Sequence, residues 1–444
     1  MKARVAVAAV ALCIAWPWSR SARAGNDDGV LLGNDAALLG GAVTAAVSDG
    51  SALWYNPAGL VHAHDFATID VSASAFVLRH YRIPDFLSSS QGTGSDATST
   101  ELVSIPSAVT AVRQLGRHFT GALGLFTPQV DDYALRTSIV TRADFATSWQ
   151  VALTQRQSQY YAGGGVAFAP TPRVLLGVSL LGSYVSSGTS SQVAGGVQLP
   201  DGSVQAFSVQ SYQQSDILLG LTLNFGMTIR VLPELHLGVS LRTPEMTVFR
   251  SHRITLVNAG SGVDDAGNPA AEFEPMDVHS SEGVISMASP LRARFGLAYY
   301  LPNGGVVGVD ADVQPALRTE TLGVDRQLTW NTRLGVRLPF LEHYAAGLGL
   351  FTDRSPDKRL PSGAGPVDFY GLSLGFQYWN VRKLDKSEAQ SKLTFSSTFA
   401  VRYAHGRGKV EGTYIDADTG RASATARNIA VDEISLHLGS ALYF

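Results

Sequence analysis

The chain has 444 residues, of which only 16% are charged and 45% are hydrophobic, with 34 basic against 37 acidic side chains and a single cysteine. A slightly acidic balance with no basic run excludes a nucleic-acid partner, and one cysteine excludes a disulfide framework. Charge is well below the roughly 25% of a soluble globular domain, yet the apolar residues are dispersed along the chain, and dispersed apolar residues in a charge-poor chain point to a membrane β-barrel.

The first 24 residues have the layout of a secretory leader. Lys2 and Arg4 precede an apolar run, and Ala22-Arg23-Ala24 offers a small-residue cleavage site. That run is too short for a helix to cross a bilayer. Cys13 raises a lipoprotein leader as the alternative, against which Leu12 stands where a small residue is wanted. Without residues 1–24 the chain keeps 30 basic and 37 acidic residues and no cysteine.

A Gly/Ala-rich stretch follows and ends in SALWYNPAGL, residues 51–60, a compact segment closed by the Asn56-Pro57 turn. Beyond it the polarity alternates. Leu219, Leu221, Leu223, Phe225, Met227 and Ile229 share one parity, and Gly220, Thr222, Asn224, Gly226, Thr228 and Arg230 share the other. Alternate side chains of a strand point to opposite faces, so one face is apolar and the other polar or small. Residues 235–242 repeat the pattern after a link of only Leu232-Pro233-Glu234.

Segments of this kind are expected at 66–80, 102–115, 118–127, 158–169, 173–185, 216–231, 235–249, 286–301, 305–318, 328–338, 343–353, 368–380, 391–405 and 431–444. Short links near 116, 171, 233, 303 and 341 alternate with long ones at 81–101, 128–157, 186–215, 250–285, 319–327, 354–367 and 406–430. A charged turn at 381–390 breaks that alternation. The reading is an all-β, antiparallel transmembrane barrel of 14 strands with short turns on one rim and long loops on the other. Closure is required because lipid offers no partner to a backbone amide.

The parity opposite the apolar rows carries Arg230, Arg242, Arg292, Arg294, Asp310, Asp312, Arg333, Arg337 and Arg402. If Pro302-Asn303-Gly304 forms a tight turn, Arg294 faces Asp312, and such a cross-strand pair adds roughly 0.2–1 kcal/mol. These charges are read either as a structural network of the lumen or as groups that steer a ligand headgroup. Glycines interrupt the same face, which suggests room inside the barrel. In the last segment Ile434, Leu436, Leu438, Ser440, Leu442 and Phe444 share a face. The terminal aromatic resembles the targeting signal of bacterial outer-membrane proteins.

Motifs for chemistry are sparse. There is no G-x-S-x-G elbow, no H-E-x-x-H and no cysteine pair. His62 and His64 read as interfacial histidines rather than metal ligands. The acidic stretches 263–268 and 416–420 lack the glutamate of a calcium loop, and Ser435 with His437 is a weak dyad. Neither an enzyme nor a cofactor is expected.

The run LLGNDAALLGGAVTAAVSDGSALWYNPAGL, residues 31–60, resembles the N-terminal hatch of the FadL/TodX family of outer-membrane channels for long-chain fatty acids and other hydrophobic compounds. Asp49, Ser51, Ala52, Asn56, Pro57, Ala58, Gly59 and Leu60 stand in the places of the family's pattern. Similar stretches follow at 123–128, 229–244, 289–302 and 349–361. The resemblance implies a leader over 1–24, a hatch over 25–64 that plugs the lumen, and a barrel over 65–444 in the bacterial outer membrane.

It further implies passive uptake of a hydrophobic or amphipathic small molecule, fatty-acid-like, with release into the surrounding lipid through a gap beside a kinked third strand. Asn56, Pro57, Ala58 and Gly59 would position the hatch; Gly121, Gly124 and Pro128 would border the gap. The chain departs from the pattern after Pro128, where Gln129 and Val130 replace an aromatic residue and glycine. The 187–214 and 250–285 stretches are also more polar than an external ligand site requires. A monomer is expected, and the alternative function is a non-transporting barrel that binds a partner or secretion cargo.

Overall fold

In the computed structural model, residues 29–63, 67–142, 146–198, 204–263, 269–357, 364–383, 392–416 and 421–444 are described. The expected leader, His64, most of the 263–268 and 416–420 stretches, and most of the charged 381–390 turn lie outside them. Two short helices, α1 (Asn34–Leu38) and α2 (Ala52–Tyr55), and a 3-10 helix (Pro57–His62) come first. Then follow β1 (Ala67–Ser89), β2 (Gly94–Gln114), β3 (Phe119–Arg142), β4 (Ala146–Thr171), β5 (Val174–Gln198) and β6 (Val204–Arg230). Next come β7 (Leu235–Arg242), β8 (Glu245–Val263), β9 (Pro269–Ser289), β10 (Arg292–Tyr300), β11 (Val306–Gln314), β12 (Leu317–Thr319) and β13 (Val324–Arg326). The series ends with β14 (Thr329–Leu341), β15 (Tyr344–Asp353), β16 (Ala364–Lys383), β17 (Lys392–Asp416) and β18 (Arg421–Tyr443).

Sixteen of these strands form one sheet, and the β5–β6 pairing closes it. Both β7 and β8 pair with β6, and β10 and β9 pair with β7 and β8 in turn. Each couple is one stave interrupted at a proline, Pro244 or Pro290, a residue without the N–H that a continuous ladder needs. The wall therefore has the 14 staves expected from the sequence. Only β12 and β13 stand apart, as a two-stranded hairpin.

All fourteen expected windows fall on staves, but several of the expected long loops are largely strand over their described residues. β4, β5 and β6 run for 26, 25 and 27 residues, whereas about 9–11 suffice to cross the hydrocarbon. The described residues of the stretches 128–157, 186–215 and 250–285 are continuations of staves, and β1 and β2 leave only residues 90–93 between them. The reason is that the apolar parity marks contact with lipid. Above the bilayer the outward face needs no grease, so Ser, Thr and Gln continue the ladder without an alternation to reveal it.

Two features shape the interior. First, residues 29–60 lie inside the cylinder and are almost all buried. The glycine face that suggested empty room is where this segment rests. A Cβ on Gly335 would meet Leu39 O at 2.2 Å, one on Gly347 Leu38 O at 2.1 Å, and one on Gly308 Ala42 O at 2.5 Å. Second, β1 bends at Asp85, whose φ is 48°. Its tip, Leu87 to Ser89, then pairs in parallel with Thr413 to Ile415 of β17. The bent hairpin roofs an apolar cluster that includes Ile83, Phe86, Leu87, Tyr133, Trp149 and Val431.

Candidate functional site

The hatch is built from turns that its sequence demands. Gly33, Gly40 and Gly41 have φ of 87°, 59° and 84°, a region costly for any residue with a Cβ. Asn56 caps the 3-10 helix, its Oδ1 accepting from Ala58 N at 3.2 Å, with Pro57 in the first turn. The other end of the same amide donates to Thr44 O at 2.6 Å, Met227 O at 3.3 Å and Thr228 Oγ1 at 3.1 Å. One fully buried side chain thus ties two parts of the hatch to β6. Pro57 and Ala58 press on wall glycines: a Cβ on Gly177 would meet Pro57 C at 2.4 Å, and one on Gly226 would meet Asn56 Oδ1 at 2.1 Å. A Cβ on Gly59 would meet Val47 Cγ1 at 2.5 Å, inside the hatch itself.

The nine inward charges sit between hatch and wall. Asp310 Oδ2 accepts from Val43 N at 2.9 Å, Thr44 N at 2.8 Å and Thr44 Oγ1 at 2.7 Å. Arg242 donates to Trp54 O at 2.6 Å and stacks 3.7 Å over the Trp54 ring. Arg294 also reaches Trp54 O, at 3.4 Å, and lies opposite Asp312 in the ladder. Asp312 Oδ2 itself accepts from Arg292 at 2.9 Å and Arg333 at 2.8 Å. Arg337 pairs with Asp35 at 3.1 Å, Arg402 donates to Gly29 O at 3.1 Å, and Arg230 lies 3.1 Å from His62 Nδ1. At least six of the nine therefore have a polar partner in the hatch, and Arg292, Arg333 and Asp312 form a buried triad in which Arg333 also packs against Gly41. Each such charge is retained in the interior only because it is paired.

Sequence reasoning missed several groups of the same network. Glu433 receives Arg79 Nε at 2.6 Å and also pairs with Arg402. Arg79 continues to Val130 O at 3.0 Å and to Asp131. Both residues stand on the inward parity of their staves, so the same alternation that exposed Arg402 could have found them. Within the hatch, Asp49 accepts from Asp35 N at 3.0 Å and Ser51 N at 2.9 Å. Burial, and then the neighbouring Asp35, push the Asp49 carboxyl up to about 6.

The wall has one discontinuity beside this plug. The β2–β3 ladder runs from Gln114↔Thr120 to Ala108↔Phe126 and stops, although both strands go on. The β3–β4 ladder slips between Phe126 and Gln129, so Gln129 and Val130 do not prevent the irregularity. Pro128 sits at the break, and its carbonyl accepts from Val30 N of the hatch at 3.2 Å. Gly124 lies in the paired part just below, where a Cβ would meet the Phe126 ring at 2.7 Å and Leu53 at 3.1 Å. Gly121 pairs with Arg113 and Val166, further down and facing outward. Above the break only side chains bridge the strands: Ala134 N donates to Glu101 at 3.0 Å, and Thr137 Oγ1 to Ser95 Oγ at 2.6 Å. Tyr133, on the far side of the break, packs on Tyr81 with ring centroids 5.4 Å apart.

Over Trp54 a small cavity of about 30 Å³ is lined by Tyr161, Arg242, Glu245, Arg292, Gln314 and Arg326, room for one or two waters. Neither nitrogen of His437 has a hydrogen-bond partner, so no Ser435–His437 dyad forms. Among the described residues no cluster of His, Cys, Asp and Glu is placed to hold a metal.

No known family pattern matches the chain, and no curated protein is similar to it in sequence. Its fold does match solved structures. The Pseudomonas putida toluene transporter TodX aligns at a TM-score of 0.59 and 13% identity, over 94% of this chain and 99% of that one. A Pseudomonas aeruginosa FadL homologue aligns at 0.57 and 12%, over 94% and 99%. The CymD monoaromatic hydrocarbon channel aligns at 0.54 and 11%, over 93% and 97%. The architecture is therefore the FadL/TodX-like barrel with an internal N-terminal plug.

Proposed function

We propose that this barrel is a passive channel of the bacterial outer membrane for hydrophobic or amphipathic small molecules, fatty-acid-like in chemistry. The solute passes the apolar cluster under the β1 roof and leaves sideways, through the β2–β3 discontinuity, into the surrounding lipid. The observation that carries the reading is the ladder that ends at Ala108↔Phe126 while both strands continue. Unpaired main chain in lipid is costly, so two neighbouring strands that both continue without a ladder between them point to a use for that place. The apolar residues Tyr81, Tyr133 and Leu135 lie in the cluster beside it, and the similarity to a toluene transporter, TodX, and a monoaromatic hydrocarbon channel, CymD, supports a hydrophobic solute. A lateral exit also spares the solute about 0.8 kcal/mol per methylene that water would cost it.

The test is to clasp the seam. Ser95 and Thr137 hydroxyls meet at 2.6 Å, and the only native cysteine is Cys13, so Ser95→Cys with Thr137→Cys gives a reversible disulfide. Liposome uptake of a labelled long-chain fatty acid is expected to fall in the oxidised form and return on reduction. Equal uptake in both states would remove the lateral route.

A further inference from the structure

The outer face of the wall carries a charged cluster that neither the plug nor the β2–β3 break uses. Across β16, β17, β18, β1 and β2 the outward side chains fall into cross-strand rows. One row is wholly lipid-like: Leu372, Tyr403, Ile434, Leu78 and Leu102 are successive ladder partners, all exposed. Two residues further from the short-turn rim, about 7 Å along the strands, the row becomes Tyr370, His405, Asp432, His80 and Thr100. The row after that is Asp368, Arg407, Ala430, Arg82 and Thr98, with Lys409 exposed beyond Arg407. Cations therefore gather within two rows of the last greasy one, the level of lipid headgroups.

The cluster is organised rather than merely basic. Arg407 Nε donates to His405 Nε2 at 3.1 Å, which leaves the proton on His405 Nδ1, 2.8 Å from Asp432 Oδ1. Tyr403 OH donates to the same oxygen at 2.9 Å. His80 Nδ1 lies 2.8 Å from Thr100 Oγ1. Arg82 makes no hydrogen bond among the described residues. Arg82 and Arg407 are the ladder partners of Ala430 on either side, two strand spacings apart, about 10 Å, so two arginines flank a methyl-sized floor. Asp368 is committed elsewhere, accepting from Ser355 N at 3.0 Å. Two other outward arginines are balanced one to one: Arg156 by Asp132 at 3.2 Å and Arg253 by Asp277 at 2.7 Å.

We propose that this cluster holds the phosphorylated sugar headgroup of a glycolipid in the leaflet at the long-strand rim, a site that rests on the outer-membrane reading above. The guanidinium pair takes the phosphate, as a planar fork of donors does well. Asp432, Thr98 and Thr100 provide acceptors and hydroxyls for the sugar, which a choline-type phosphate would leave unused.

The full chain, reconstituted in phosphatidylcholine bilayers containing either diphosphorylated lipid A or its dephosphorylated form, is extracted and read by native mass spectrometry for retained glycolipid. Wild type is expected to retain the phosphorylated form. Arg82→Gln with Arg407→Gln is expected to retain it at least about tenfold more weakly, the scale of one lost charge-assisted contact, while Arg156→Gln with Arg253→Gln matches wild type. Circular dichroism confirms that the variants fold. Equal retention by the double variant, or equal retention of the dephosphorylated form, overturns the site. Binding of inorganic phosphate as tight as that of the lipid overturns the glycolipid assignment. A chain that never enters the bilayer sinks the membrane reading as well, whereas one that enters but ignores the phosphate sinks only this proposal.

Discussion

The plug meets its wall in two unlike ways. Residues 42–60 are held by directed bonds: Asp310 takes three donors, Asn56 makes four contacts, Ser179 Oγ donates to Leu53 O at 2.8 Å and Asn224 to Trp54 O at 3.1 Å. Helix α1 packs against β14 to β18 with Asp35 paired to Arg337 at 3.1 Å, and there Asn34, Ser373, Thr398 and His437 are buried with side-chain atoms that have no hydrogen-bond partner. A buried polar atom without a partner raises the free energy of the docked state by about 1–3 kcal/mol. The difference teaches that one short segment meets its wall by unlike means: residues 42–60 through many directed bonds, and α1 through one ion pair and a set of buried polar atoms without partners.

The largest expected effect breaks the anchored side. Asn56→Ala leaves Thr44 O, Met227 O, Thr228 Oγ1 and Ala58 N to find other partners in a site with no exposure. A loss of about 3 kcal/mol is expected, read as a lower urea midpoint and as a steady ion leak in planar bilayers. Pro57→Ala removes only a conformational restraint and should cost about 1 kcal/mol. Wild-type conductance from Asn56→Ala would show that the plug is not located by this residue.

How much of this was legible beforehand follows from what each signal reports. Period-2 alternation reports the lipid face, so it found Leu219 to Ile229 and every other stave, and it fell silent where staves rise above the bilayer. The parity rule placed Arg294 opposite Asp312 but could not say that both back onto a plug, because contacts such as Thr44 to Asp310 join residues far apart in the chain. Glycine on the inner parity was ambiguous in principle. Gly335 and Gly347 leave space in the wall, and only the fold reveals that the hatch main chain occupies it. The Asn-Pro-Ala-Gly segment was recognised by resemblance, while its hydrogen bonds to Met227 and Thr228 required the structure.

A change of opposite sign is expected on the other side. His437→Leu replaces a buried ring with two unpartnered nitrogens by an apolar side chain, a swap that is neutral or stabilises by up to about 1 kcal/mol. Hydrogen exchange in α1 should then be slower than in wild type, with residues 42–60 unchanged. Destabilisation as large as that of Asn56→Ala would make the two sides equivalent and end the comparison.

The smallest effect is a pH dependence that runs through the hatch itself. Asp49 in the docked plug holds its proton up to about 6, against an ordinary 3.8. Burial is the main cause and Asp35 the second. Between those two values the docked state binds a proton that a released hatch does not, so the contribution of Asp49 to docking is fully present below about pH 4 and is lost as the pH rises through about 6. Hydrogen exchange of residues 41–55, corrected for the intrinsic rate, should show protection falling across that window. Asp49→Asn keeps an acceptor oxygen for only one of Ser51 N and Asp35 N and cannot ionise, so its profile should fall less steeply than that of wild type. A wild-type profile that is as shallow as the variant's, or that rises, would place the pH response of the plug on some group other than Asp49.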